Sequence, residues 1–95
     1  MQYFNIQIAS QLSGVAAATI RAWEKRYTAV VPTRAENGHR LYSETDIEKL
    51  SMLFKLTELG QTIGRIAHLP LEELKNIHST LMADKSQDTK GFFVK

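Results

Sequence analysis

Apolar residues recur at helical spacing in several stretches of the chain, and one stretch between them breaks the period. Ile8, Ala9, Leu12 and Val15 line up as one face of a first helix over 6–13. Asn5 stands where an N-cap oxygen accepts an early backbone N–H. Gly14 stands where a left-handed residue ends a helix most easily. A second helix is predicted over 17–27. At about 100° per residue, Ile20, Trp23 and Tyr27 share one face. Ala18, Arg21, Ala22 and Lys25 fall on the other, with Arg26 at its edge. One face is bulky and apolar; the other has small residues among cations.

The period is lost over 28–42. Pro32 disfavours helix, and Asn37-Gly38 is a strong hairpin-turn signal. Thr33-Arg34-Ala35 and His39-Arg40-Leu41-Tyr42 flank it and can pair as short strands, with arginine on both arms. A third helix begins at an expected cap, Ser43, with Asp46 three residues on as a variant capping box. Ile47, Leu50, Leu53, Phe54 and Thr57 are its predicted stripe, and Gly60 its end. Glu44, Asp46 and Glu48 suit the positive end of its dipole, so they need no acid–base or metal role. A short fourth helix is expected after Thr62, carrying Ile63 and Ile66, and Pro70 ends it. A fifth is predicted over 71–82 along Leu74, Ile77, His78 and Leu81. From Ala83 the chain turns polar, so residues 1–82 read as the domain and 83–95 as a linker or frayed tail. Phe92-Phe93-Val94 is too short to form a core of its own.

At 95 residues the chain has room for one modest core. It has no cysteine, which excludes disulfides and cysteine-ligated metals and leans toward a reducing cytoplasm. The first residues do not read as a signal peptide, and no apolar run approaches the ~20 residues of a membrane span. Charge changes the picture through its placement. Residues 15–42 hold five cations against two carboxylates, and residues 43–60 hold two cations against four. A basic segment beside an acidic one suggests a face for a polyanion. His39, His68 and His78 show no metal-ligand spacing. No serine–histidine–acid arrangement or phosphate-cradling glycine run is visible, so an enzyme is not expected.

Two short helices joined through a glycine-containing turn, then a hairpin, predict a mainly α winged helix-turn-helix with additional C-terminal helices. Arg21 lies among alanines, placed for a phosphate or a base edge in the major groove of DNA. Lys25 and Arg26 extend that charge, and Thr19 is placed for a phosphate near the helix start. Arg34 and Arg40 would grip phosphate or the minor groove from the hairpin. Arg40 has a competing role, pairing with Glu24 to brace the hairpin. Tyr42 would donate to a phosphate or simply pack. Trp23 and Tyr27 read as core.

The blocks Ile6 to Val15, Thr19-Ile20-Arg21-Ala22-Trp23-Glu24-Lys25-Arg26-Tyr27, Pro32-Thr33-Arg34 and Asn37-Gly38-His39-Arg40-Leu41-Tyr42-Ser43, in that order, resemble the DNA-binding head of the MerR family. The run 21–27 and the run 60–74 are most similar to the cobalamin-dependent light and carotenoid regulators and to curli-type regulators. The resemblance implies sequence-specific binding of a double-stranded DNA operator in bacterial transcription regulation. It places the second helix in the major groove and the wing on the flanking backbone. It implies a wing contact at position 39, where the family usually has tyrosine and this chain has His39. Two further departures are Ala16, where the family usually caps the second helix with serine or threonine, and Thr28-Ala29, where the subgroup often has a glycine-containing turn. In those regulators a cobalamin-binding region follows the head; no cofactor is expected within these 95 residues. The chain is expected to be monomeric alone, lacking a long heptad segment after Met82, with two copies on a palindromic operator. An excisionase-like architectural or protein-interaction module is the alternative, and residues 43–82 favour the regulator. A DNA-mimicking antagonist protein would use the same basic face.

Overall fold

The computed structural model describes residues 2–94, with side chains described over 2–83. Its elements run β1 (Tyr3–Phe4), α1 (Ile6–Ser13), α2 (Ala17–Tyr27), β2 (Thr33–Arg34), β3 (Arg40–Ser43), α3 (Glu44–Glu58), α4 (Ile63–Ile66) and α5 (Leu71–Val94). Local chemistry sets the first boundaries. The Asn5 side chain accepts the Ile8 N–H at 2.9 Å, and Gly14 closes α1 at φ 81°. The Ser13 hydroxyl, nearly buried, accepts the Val15 N–H at 3.1 Å and fixes the turn into α2. At Ala16 no side chain can cap α2. Its far end is a left-handed residue, Thr28 at φ 51°, whose N–H donates to the Glu24 carbonyl at 3.0 Å.

The hairpin differs from a two-residue Asn-Gly turn. Gly38 N–H donates to the Ala35 carbonyl and Ala35 N–H to the His39 carbonyl, so Glu36, Asn37 and Gly38 form the loop. Only Gly38, at φ 85°, takes the left-handed region there, which is the three-residue solution with glycine after the turn. The Asn37 side chain accepts the His39 N–H at 3.1 Å and steadies the tip. β3 lies between β1 and β2, antiparallel to both, with Phe4 opposite Tyr42 and Arg34 opposite Arg40. β1 has no counterpart in the sequence expectation. It ties the base of the wing to the entry of α1.

Ser43 and Asp46 form a complete capping box at the start of α3, as expected. The buried stripe of α3 is Ile47, Leu50, Leu53 and Leu56, with Phe54 exposed, which corrects the predicted stripe. Steps of three residues advance about 300°, so the stripe falls back about 60° at each step and winds around the helix. Ile47 and Leu50 thereby meet one core cluster, with Ala9, Val15, Ile20, Val30 and Tyr42. Leu53 and Leu56 meet a second, with Ala29, Ile66, Ala67 and Leu74. Trp23 packs against both and Tyr27 against the second, which agrees with their assignment to the core side. In α1, Ala9 and Ser13 are the inward residues, while Ile8 and Leu12 are exposed, against expectation. The small inward face suits α1's close packing on α2 and α3.

Thr62 stands at the N-cap of α4 but makes no side-chain capping bond. α5 extends to Val94 rather than stopping at Met82. The polar segment from Ala83 contains no proline, and its first glycine is Gly91, so nothing in it enforces a stop. The longer α5 corrects the helix bounds alone; the monomer expectation rests on the lack of a long heptad segment after Met82, which is a matter of sequence. The reading of Phe92-Phe93-Val94 concerns side chains outside those described.

Candidate nucleic-acid interface

Along the outer face of α2, Ala18, Arg21, Ala22, Lys25 and Arg26 are all exposed. The inward Ile20 is fully buried and Trp23 seats the helix on both core clusters, so its rotation about its own axis is set by packing. The two alanines leave the backbone open to a large surface, and the cations stand beside them.

Between this face and the wing lie two grooves. The first, of about 280 Å³, is lined by Asn5, Ile6, Arg21, Arg34, Gly38, His39 and Arg40. The second, of about 700 Å³, is lined by Ala18, Arg21, Ala22, Glu24, Lys25 and Arg40. Arg21 and Arg40 border both and form the ridge between them. Five of the residues expected at the site, Arg21, Lys25, Arg34, His39 and Arg40, are thus brought together. Arg26 is exposed but lines neither groove, and Thr19 is half-buried on α2 outside them. Asn5 and Ile6 enter the lining unforeseen; in the sequence they stand only as the cap and the first residue of α1.

The wing arginines are held differently. Arg34 Nη1 donates to the Gly38 carbonyl at 3.0 Å, across the wing's own loop. Arg40 Nε donates to Glu24 Oε2 at 2.7 Å, the bracing role that competed with free contact. The other carboxylate oxygen, Glu24 Oε1, accepts from the Tyr42 hydroxyl at 3.1 Å. Tyr42 is fully buried, which corrects its assignment as a DNA contact: strand pairing on both sides of β3 turns its ring inward. Burial first, then the neighbouring Glu24 charge, pushes its phenol up to about 12. The hydrogen bond and the charge of Glu24 also raise the Arg40 guanidinium above its ordinary value, against a small opposing effect of burial. Glu24 is therefore a carboxylate set among cations with both oxygens engaged.

A helix pair with an exposed basic second helix, flanked by a hairpin whose two arginines border a groove together with Arg21 of that helix, defines a winged helix-turn-helix domain. The family model described as "MerR HTH family regulatory protein" matches residues 4–76. The chain belongs to that family and carries its DNA-binding head. Among curated relatives, it is 34% identical over 88 residues to the HTH-type transcriptional repressor CarH of Myxococcus xanthus, covering 92% of this chain and 29% of that protein. It is 27% identical over 92 residues to the HTH-type transcriptional regulator MlrA of Salmonella typhimurium, covering 97% and 33%. These relatives agree with the subgroup indicated by the runs 21–27 and 60–74. The chain spans about a third of their length. Among solved structures, the fold is shared with HiNmlR, a MerR family regulator lacking the sensor domain and bound to promoter DNA. The TM-score is 0.71 at 21% identity, over 96% of this chain and 76% of that one.

Proposed function

We propose that this chain is the operator-recognition head of a transcription regulator, reading double-stranded DNA with α2 in the major groove and the wing on the flanking backbone. The observation that carries the reading is the continuity of one surface. The small and cationic outer face of α2 runs into two grooves, one bordered by Arg34 and Arg40 and the other by Arg40. Ala18 and Ala22 allow close approach, Arg21 presents a bidentate donor, and the wing cations neutralise phosphate. Two heads on a two-fold-related operator would place their α2 helices one DNA turn apart. In this reading residues 1–82 form the binding unit and residues 83–95 lie outside it. The cationic grooves are open and belong to this DNA surface, so they do not suit an enclosed corrin ring.

The test is selection of duplexes from a random library, followed by anisotropy titration of one selected and one scrambled duplex over a range of salt. The affinity for the selected duplex should fall with salt at a log–log slope of about −3, for three phosphates neutralised. An affinity independent of salt, or equal for both duplexes, would refute the reading.

A further inference from the structure

Among the described residues that line the two grooves of the basic surface, Glu24 is the one carboxylate, and it borders the second groove. By charge alone it opposes DNA, since any phosphate brought near Arg21, Lys25 and Arg40 also approaches it. Its geometry points elsewhere. Its side chain is 13% exposed, its Oε2 holds Arg40 Nε at 2.7 Å, and its Oε1 holds the Tyr42 hydroxyl at 3.1 Å. Glu24 belongs to α2, whereas Arg40 and Tyr42 belong to β3. One carboxylate therefore ties the reading helix to the central strand of the wing. The tie uses the Nε edge of Arg40, which leaves the two terminal guanidinium nitrogens to a phosphate. A charge-assisted bond of this kind fixes direction as well as distance.

We propose that Glu24 is a positioning residue for DNA recognition: it clamps Arg40 and sets the wing against α2, so that major-groove and flanking contacts engage as one rigid surface. The inference rests on the DNA-binding reading above. Its signature is a reversed sign. Removing a negative charge from a DNA-facing surface ordinarily tightens binding. Here it loosens binding, because Arg40 loses its fixed bearing.

The experiment compares Glu24→Gln, Arg40→Ala, the double variant and Tyr42→Phe with the unaltered chain, on the selected duplex at one salt concentration. Circular dichroism checks that each is folded. Glu24→Gln should lower affinity by roughly tenfold, the scale of one well-placed charged contact. Tyr42→Phe keeps the buried ring, removes one of the two bonds and should lower affinity less. The double variant should bind no worse than Arg40→Ala alone, since Glu24 acts through Arg40; a purely structural loss would add instead. Equal or tighter binding by Glu24→Gln, or additive losses in the double variant, would overturn the proposal while leaving DNA binding intact. Should Glu24→Gln fail to fold, an unchanged affinity in Tyr42→Phe overturns it. Failure of the unaltered chain to bind any duplex would remove the DNA reading itself, and the proposal with it.

Discussion

Thr28 gives a sharp test of how α2 is terminated. It is exposed and β-branched, yet it takes φ 51°, a region that suits glycine. The left-handed well costs an L-residue about 1–2 kcal/mol. The turn is kept because its N–H meets the Glu24 carbonyl and because Ala29 and Val30, which follow at once, are buried in the two core clusters. Thr28→Gly removes the local penalty and loses about 0.5–1 kcal/mol through the greater freedom of the unfolded chain. At the middle of each range the net is a gain of about 0.75 kcal/mol, or roughly 3–6 °C in the thermal midpoint of a domain this size. Ala29→Gly is the control. Ala29 is buried and lies outside the positive-φ set, so the same substitution there should lower the midpoint. Thermal melts followed by circular dichroism decide between them. A midpoint for Thr28→Gly equal to or below that of the unaltered chain would show that the left-handed turn is not strained. DNA affinity should not change, because neither groove is lined by Thr28.

Arg21→Ala should weaken binding to the selected duplex by roughly 1–3 kcal/mol and relax sequence preference. Arg34→Ala should weaken all duplexes alike and make the salt slope shallower by about one unit; paired anisotropy titrations measure both. Ala16→Ser supplies the missing cap of α2 and should stabilise the fold by about 1 kcal/mol in urea unfolding. The Tyr42 phenol, raised to about 12 from 10.0, holds its proton more tightly folded than unfolded. Its contribution is complete below pH 10 and is lost as pH rises toward 12. The urea midpoint should therefore fall over that window, and fall less in Tyr42→Phe.

What was legible in the sequence was local. Asn5, Gly14, Ser43 and Asp46 announce their helix ends through bonds that span only a few residues, and α1, α2 and the start of α3 stand where those signals put them. The basic face of α2 was legible because inward and outward residues separate cleanly at the helical period. What depended on distant partners was not. Tyr3 and Phe4 carry no strand signal of their own and become β1 only through Ser43 and Tyr42. The same pairing decides that Tyr42 packs rather than reaches outward. Leu56 replaces Phe54 in the stripe because the second core cluster lies round the side of α3, a fact about α5 and not about α3. The pairing of Arg40 with Glu24 was readable as a possibility from residue types, whereas the second bond from Tyr42 required the fold.

Trp23 is the sole tryptophan of the chain and is packed against both core clusters. Its indole emission is therefore a built-in optical probe placed where two compartments of the domain touch. If the region around α4 and α5 opens while the wing and α1 stay closed, one wall of the indole's surroundings becomes wet and the emission moves red while part of the helical signal persists. If the domain melts as a single cooperative unit, the two signals coincide at every denaturant concentration. The cohesion between the half that carries the basic face and the half built on α4 and α5 can thus be read spectroscopically, with no label attached.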